Sequence, residues 1–328
     1  MHMADALISP LVGGVMLAAT VGASTFSIKK VHLNLDQKKI PLMGVMGAFI
    51  FAAQMINFSI PGTGSSGHIG GGLLLAALLG PYAGFITMTA ILLIQALVFA
   101  DGGLLAYGCN VFNLGFFACF LAYPLIFRTI LRKNWSVARI WTASMLAAIV
   151  GLQFGAFSVV LETQFSGKTE LPFTAFALLM QPIHLAIGIV EGMVTASILT
   201  FVWKARPELL ERTTAGENLG TVSIKKILII LSAAAVLIAG VLSWFASSDP
   251  DGLEWALFRA AGTAELASSG GIYQFFADLQ GNTAVLPDYQ LNGPGLAGLA
   301  GGLLTLGLVG ISGFLIRRFH RRKREKSE

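Results

Sequence analysis

Unbroken apolar runs, rather than short alternation, organise this chain. Nine stand out, near 7–28, 40–59, 69–80, 81–99, 109–131, 140–163, 174–203, 226–245 and 295–316. A helix crosses a bilayer with about 20 apolar residues, and only helices or closed barrels satisfy their backbone there. The pattern predicts an all-α polytopic membrane protein of about nine spans. The third run is short and meets the fourth at Gly80-Pro81, which predicts a tight helical hairpin or broken helices. The polar stretch 204–225, KARPELLERTTAGENLGTVSIK, separates seven runs (1–203) from a two-run module (226–328) whose runs flank the long polar loop 246–294.

Composition agrees with the pattern. The 328 residues are 55% hydrophobic and 12% charged, against about 25% charge in a soluble domain. The net charge of +5 is no nucleic-acid signature, because the cations sit in short clusters between apolar runs. Those clusters give the orientation. With the N-terminus outside, the inner segments hold four basic residues at 29–39, four at 128–139, five at 204–226 and seven at 317–326, which is twenty of the 22 Lys and Arg. Lys168 and Arg259 alone fall outside, the distribution that the positive-inside rule favours. The linker 204–225 is then cytoplasmic, and His2, the segment 61–72, the turn 100–108 and the loops 164–173 and 246–294 lie on the outer face. The only early charge is Asp5, and Lys29-Lys30 follows the first run; a cleaved signal needs a basic start, so the first helix is expected to be retained. No Walker-type Gly-x-x-x-x-Gly-Lys-Ser/Thr occurs, so any ATP hydrolysis must come from another chain. Cys109 and Cys119, ten residues apart on one expected helix, are not a disulfide pair.

Chemistry concentrates at the expected outer face. A free α-amine, the His2 backbone nitrogen and the His2 imidazole can wrap one cation in a five- and a six-membered chelate ring. Three nitrogens in nearly one plane, completed by a fourth, suit Ni(II) or Cu(II), whereas zinc prefers a tetrahedron. The ordinary alternative is a frayed terminus. His68, in the Gly/Ser-rich stretch 61–72, supplies a second imidazole on the same face, or is an exposed loop histidine. Gln95, Asp101, Asn110 and Asn113 gather near the outer ends of the fourth and fifth spans, where they could orient ligands or satisfy broken-helix backbone. His184 and Glu191 are ionisable groups inside the seventh span, costly there and often functional; the alternative is an interhelical hydrogen-bonding role. Gly44, Ala48 and Ala52 form a small-residue stripe on the second span, and Gly298 and Gly302 another on the last. Either stripe lets a helix approach closely, from a partner or from within the chain. The loop 246–294 carries six carboxylates against Arg259, a local excess that concentrates cations modestly or only keeps the loop solvated.

The stretches MHMADALISP, AFIFAAQMINF (48–58), GTGSSGHIGGGLLLAALLGPYAG (62–84), LLIQALVFADGGLLAYGCNVFNLG (92–115) and HLAIGIVEGMVTA (184–196) resemble the substrate-capturing membrane subunit, or S component, of energy-coupling-factor ABC importers for nickel and cobalt. The resemblance covers about 1–203; the opening MH with the downstream GH is its specific part, and MHMADAL is closer to nickel-type than to cobalt-type members. It implies that Met1, through its amine, His2 and His68 hold Ni2+ or Co2+ as transported substrate, with no organic cofactor and no enzymatic activity. It also implies a multi-pass protein of the bacterial inner membrane. The expected partners are a transmembrane coupling protein, met at the stripe Gly44, Ala48 and Ala52, and a pair of cytosolic ATPases. The C-terminal module, about 222–328, resembles the two-span accessory subunit of the same importers. Two other readings fit less well. An S component for an organic vitamin needs an aromatic-lined pocket and no particular N-terminus, and an intramembrane metalloenzyme built on His68, His184 and Glu191 lacks His-Glu-x-x-His.

Overall fold

The structure is a computed structural model and describes residues 2–33, 36, 38–168, 171–263, 270–289 and 293–325. α1 (Pro10–Leu33) opens on proline, whose missing N–H costs nothing at a first helical position. α2 (Lys39–Gln54) leads into an antiparallel hairpin of β1 (Phe58–Ile60) and β2 (Ser65–Gly67), with Ser59 opposite Ser66. α3 (Gly72–Leu79) and α4 (Pro81–Phe99) meet at Gly80. Its φ of +86° is open to glycine, and Pro81 starts the next helix, so the break expected at Gly80-Pro81 is present.

α5 (Tyr107–Leu131) is wound as a π-helix through Phe112–Phe127. α6 (Val137–Ser166) is capped by the Ser136 side chain, which accepts from the Arg139 amide. α7 (Phe173–Ala205) follows, then α8 (Pro207–Ala215) and α9 (Lys225–Gly240). The loop beyond α9 folds into α10 (Gly252–Ala261) and α11 (Gly271–Thr283). α12 (Pro294–Glu325) ends the chain's described part.

Among the described residues six helices, α1, α4, α5, α6, α7 and α12, are long and apolar enough to cross a membrane. α2 and α9 have 16 residues each and α3 has 8. The chain is thus a helical multi-pass membrane protein.

α3 is the centre of the bundle, with Leu73 to Leu79 no more than 1% exposed. α4, α5, α6 and α7 pack around it. Its shortness leaves a gap on either side. One gap receives residues 68–71. The other is closed by α8, which turns Leu209 and Leu210, both 0% exposed, onto α3. The polar linker therefore contains an amphipathic helix: PELLERTTA puts two adjacent leucines inward and its charges outward.

The small-residue stripe of α2 meets the chain's own last helix. A Cβ on Gly44 would stand 3.5 Å from the Leu306 carbonyl oxygen, and one on Gly302 would stand 3.8 Å from the Ala48 carbonyl oxygen. Ala52 is 1% exposed. A Cβ on Gly298 would stand 3.1 Å from that of Ala239 on α9. Gly44, Ala48 and Ala52 thus pack within the chain, the close helix approach that small residues allow. α1 packs one side on α4 and α5 and leaves the other bare; among the described residues nothing stands within 4 Å of a Cβ on Gly14 or Gly22.

Gly71 tests the packing of the central gap. Its φ is +77° and a Cβ there would meet Ile50 Cγ2 at 2.7 Å. Gly71→Ala is expected to cost about 2–4 kcal/mol, from left-handed strain and overpacking. The thermal midpoint of the purified chain should fall by roughly 5–10 °C; an unchanged midpoint refutes this account.

Candidate functional site

The first residues form a buried plug. Met3 and Ile8 are 0% exposed. Asn110 grips the Met3 peptide from both sides: its Oδ1 accepts from the Met3 amide at 2.7 Å and its Nδ2 donates to the Met3 carbonyl at 3.1 Å. The Gly103 amide donates to the same carbonyl at 2.9 Å. Asp5 Oδ1 accepts from the Ala106 amide at 2.9 Å. These contacts replace the frayed terminus that a lone early histidine allows. Met1, whose amine the sequence assigns to the ligand set, lies outside the described residues.

His2 is thereby fixed beside His68. The two rings stack with centroids 5.2 Å apart and planes 9° from parallel. His2 Nδ1 lies 3.1 Å from Asp101 Oδ1, while its Nε2 is buried and has no hydrogen-bond partner among the described residues. Asp101 is aimed by the left-handed Ala100 (φ +55°) that ends α4. Burial would raise the Asp101 carboxyl, but the His2 charge and hydrogen bond, with the Tyr289 hydroxyl, hold it below the usual carboxylate range.

His68 is 8% exposed, so it is a buried residue and not an ordinary loop histidine. The glycines of 61–72 let β1–β2 turn tightly and then let the backbone dive toward α3. There Glu191 accepts from the Gly70 amide at 2.7 Å and from the Gly71 amide at 3.1 Å. Gln54 donates to the Gly70 carbonyl at 2.8 Å, and Gln95 donates to Gln54 at 2.9 Å. The C-terminal side of the His68 segment is thus tied to polar side chains of α7 and α2. His68 Nδ1 sits 3.1 Å from the Ile69 carbonyl; a carbonyl only accepts, so Nδ1 carries the proton and Nε2 is the basic nitrogen. Burial lowers the imidazole to about 3, which leaves it neutral and ready as a ligand.

Asn113 hydrogen-bonds away from the imidazole pair. It donates to Glu162 at 2.7 Å and approaches Met3 Sδ at 3.6 Å. His184 donates through Nδ1 to the Met180 carbonyl at 2.8 Å, and its Nε2 is buried without a partner among the described residues. His184, His68 and Asp251 line one small cavity, so the two histidines that looked separate in sequence are neighbours.

The loop after α9 roofs the site. The Ser66 amide donates to the Pro250 carbonyl at 2.8 Å, and Tyr273 Oη donates to the Ile8 carbonyl at 2.8 Å. Gln280 donates to the carbonyls of Ala96 and Gly102 at 2.9 and 2.8 Å. Tyr289, itself at a left-handed φ of +57°, donates to Asp101 Oδ2 at 2.5 Å. A cleft of about 640 Å³ remains, lined by His2, His68, Asp101, Asp251, Glu254 and Tyr289 among others. Sequence reading did not single out Glu162 or Tyr289, and it counted Asp251 only among the six carboxylates of the loop 246–294. Glu162 was discoverable as a carboxylate inside an apolar run. The Asp251-x-x-Glu254 spacing is the sequence sign of the capping box that starts α10. Nothing local marks Tyr289.

Over residues 2–209 the chain matches the family described as cobalt uptake substrate-specific transmembrane region, and over 225–318 it matches the PDGLE domain, whose five letters stand here as Pro250 to Glu254. It is 34% identical to a putative fused nickel transport protein NikMN of Archaeoglobus fulgidus, over 98% of this chain and 99% of that one. A cobalt transport protein CbiM of Sorangium cellulosum is 32% identical over 52% of this chain and 76% of its own length. A solved structure of a transition metal transporter is 34% identical, with a TM-score of 0.55, covering 62% of this chain and 93% of that chain.

Fold, buried imidazole pair and relatives together define a metal-transport membrane subunit, and relatives named as transport proteins accord with the expected non-enzyme. The chain belongs to the cobalt uptake substrate-specific transmembrane region family, extended by a PDGLE domain. This accords with the resemblance to S components carrying a fused accessory module.

Proposed function

We propose that the chain is the substrate-specific subunit of an energy-coupling-factor importer of the cell membrane and that it captures Ni2+ or Co2+ at the outer face. The ligands are the Met1 amine, the His2 amide nitrogen, His2 Nδ1 and His68 Nε2. The observation that carries the reading is the stacked, buried pair His2–His68. Among the described residues no three His, Cys, Asp or Glu side chains form a metal-holding group, so side chains of these types alone do not complete a site here. Main-chain nitrogen is the donor set which the chelate chemistry of His2 adds. His2 Nδ1 is engaged with Asp101, so chelation needs a half-turn of the imidazole about Cβ–Cγ. The turn gives Nδ1 to the metal and Nε2 to Asp101, the ligand–carboxylate pairing common around metal histidines. Tyr289 holds Asp101 for that exchange, so the two-span module (226–328) supports the capture domain (1–203) across the linker 204–225. A transmembrane coupling protein and an ATPase pair drive release inward; the sequence carries no Walker-type motif of its own.

Titration calorimetry of the purified chain with NiCl2, CoCl2 and a panel of vitamins tests this reading. One tight divalent site lost in His68→Ala supports it. Vitamin binding, or metal binding that survives His68→Ala, overturns it. Capture is also expected to weaken as pH falls. His68 is neutral well below pH 6 because burial lowers it to about 3, so it contributes no proton to be displaced. The His2 amide releases one proton at any pH in this range when its nitrogen ligates, and an α-amine with an ordinary value near 8 releases another below that, so metal affinity is expected to fall about tenfold per unit above 8 and about a hundredfold per unit below it. A pH-independent affinity between 6 and 8 would contradict amine ligation.

A further inference from the structure

The end of the bundle opposite His2 holds a second cavity, of about 330 Å³. It lies where α1 ends, α2 begins, α3 turns into α4, α5 ends and α8 crosses beneath. Its walls carry Lys30, Lys39 and Arg128, and also the hydroxyls of Tyr123, Thr213 and Thr214. The three hydroxyl residues are 2%, 3% and 6% exposed. The Tyr123 and Thr214 hydroxyls lie against each other, but among the described residues none of the three oxygens makes a well-aligned hydrogen bond. A buried hydroxyl without a full partner costs about 1–3 kcal/mol, so three around one space mark a place built for something that accepts hydrogen bonds.

The charge says what kind of group that is. Among the described residues none of the three cations forms an ion pair; Arg128 reaches only the Ala215 carbonyl, at 3.4 Å. The one carboxylate in the wall, Asp36, already accepts from the Lys38 amide at 3.0 Å and the Leu219 amide at 2.6 Å. Cations and donor hydroxyls converging on one space fit a tetrahedral oxyanion, whose oxygens accept from all of them. The remaining wall is apolar, with Val31, Ile40, Met43, Leu79 and Phe120, which suits a group carrying a hydrocarbon or glycerol portion. Basic pockets between spanning helices at a cytoplasmic edge bind anionic head groups, and the size falls in the range of ligand pockets.

We propose that this cavity binds a phosphate group, that of an anionic phospholipid head group or of a soluble phosphate ester, through Lys39, Arg128 and the three hydroxyls. The site is separate from the capture site and does not rest on the metal reading. Bound there, the phosphate joins α8 of the linker to the ends of α2 and α5.

Native mass spectrometry of the full chain in detergent tests it, with phosphatidylglycerol, phosphatidylcholine and inorganic phosphate as probes. Phosphatidylglycerol should be retained in preference to phosphatidylcholine. The double variant Lys39→Gln/Arg128→Gln should weaken retention at least tenfold, and Arg128→Lys should recover most of it. Tyr123→Phe should weaken it about fivefold, the effect of one hydrogen bond. Lys133→Gln, exposed on the same end, should change nothing. Saturable, Arg128-dependent binding of inorganic phosphate without lipid preference would assign the site to a soluble ester. Equal retention of both lipids together with no Arg128-dependent phosphate binding overturns the proposal. So does full binding by a double variant whose size-exclusion profile shows it folded.

Discussion

Acetylation of the Met1 amine is expected to abolish metal capture while leaving the protein folded. The acetyl group turns the α-amine into an amide and removes one donor of the five-membered chelate ring, although both imidazoles stay in place. Changes to groups that only orient a metal's ligands already cost 10–100-fold in affinity, so loss of a coordinating nitrogen is expected to cost at least 100-fold. Calorimetry with Ni2+, on the free and on the acetylated start, gives the comparison. The plug from Met3 to Ile8 is held by Asn110 and Asp5, so the acetylated protein should keep its thermal midpoint to within a few degrees. Native affinity in the acetylated chain would eliminate the amine as a ligand. A collapsed midpoint would instead put the effect down to folding.

Glu191→Ala is expected to have the second largest effect, and for a different reason. The carboxylate accepts from two buried amides, of Gly70 and Gly71, at 2.7 and 3.1 Å. Its removal leaves two donors unsatisfied inside the bundle, at about 1–3 kcal/mol each, so about 3–5 kcal/mol of stability should go. The segment that loses its anchor carries His68, so Ni2+ affinity should drop more than tenfold even at temperatures where the fold persists. Glu191→Gln keeps one acceptor oxygen and should fall between. Thermal unfolding in detergent gives the first quantity and calorimetry the second. A Glu191→Ala chain of native stability would mean that water replaces the carboxylate at the loop.

Helix positions were legible because long apolar runs have few other solutions in lipid, and the break at Gly80-Pro81 because glycine and proline act locally. The meeting of His2 and His68 was legible only through topology: the sorting of Lys and Arg put both on one face, but the 5.2 Å ring stack needs the Asn110 and Glu191 clamps to exist. The burial of His68 was left open, since glycine-rich segments are mostly surface loops, whereas here the shortness of α3 opens an interior space for one. The inward turn of α8 hung on two adjacent leucines amid charge. Tyr289 stayed hidden because its contact with Asp101 spans 188 residues and no periodicity encodes such a pairing. For Gly44, Ala48 and Ala52 the stripe itself was readable but not the identity of the helix that covers it.

The seating of α12 on that stripe carries a competitive consequence. Because α12 and α2 belong to one polypeptide, the occupant is tethered, at an effective concentration on the order of millimolar. A foreign helix with equal intrinsic affinity, present in the membrane at far lower density, would be outcompeted there. Any docking on α2 by another subunit must therefore displace a covalently leashed rival, or else settle on the bare outer side of α1.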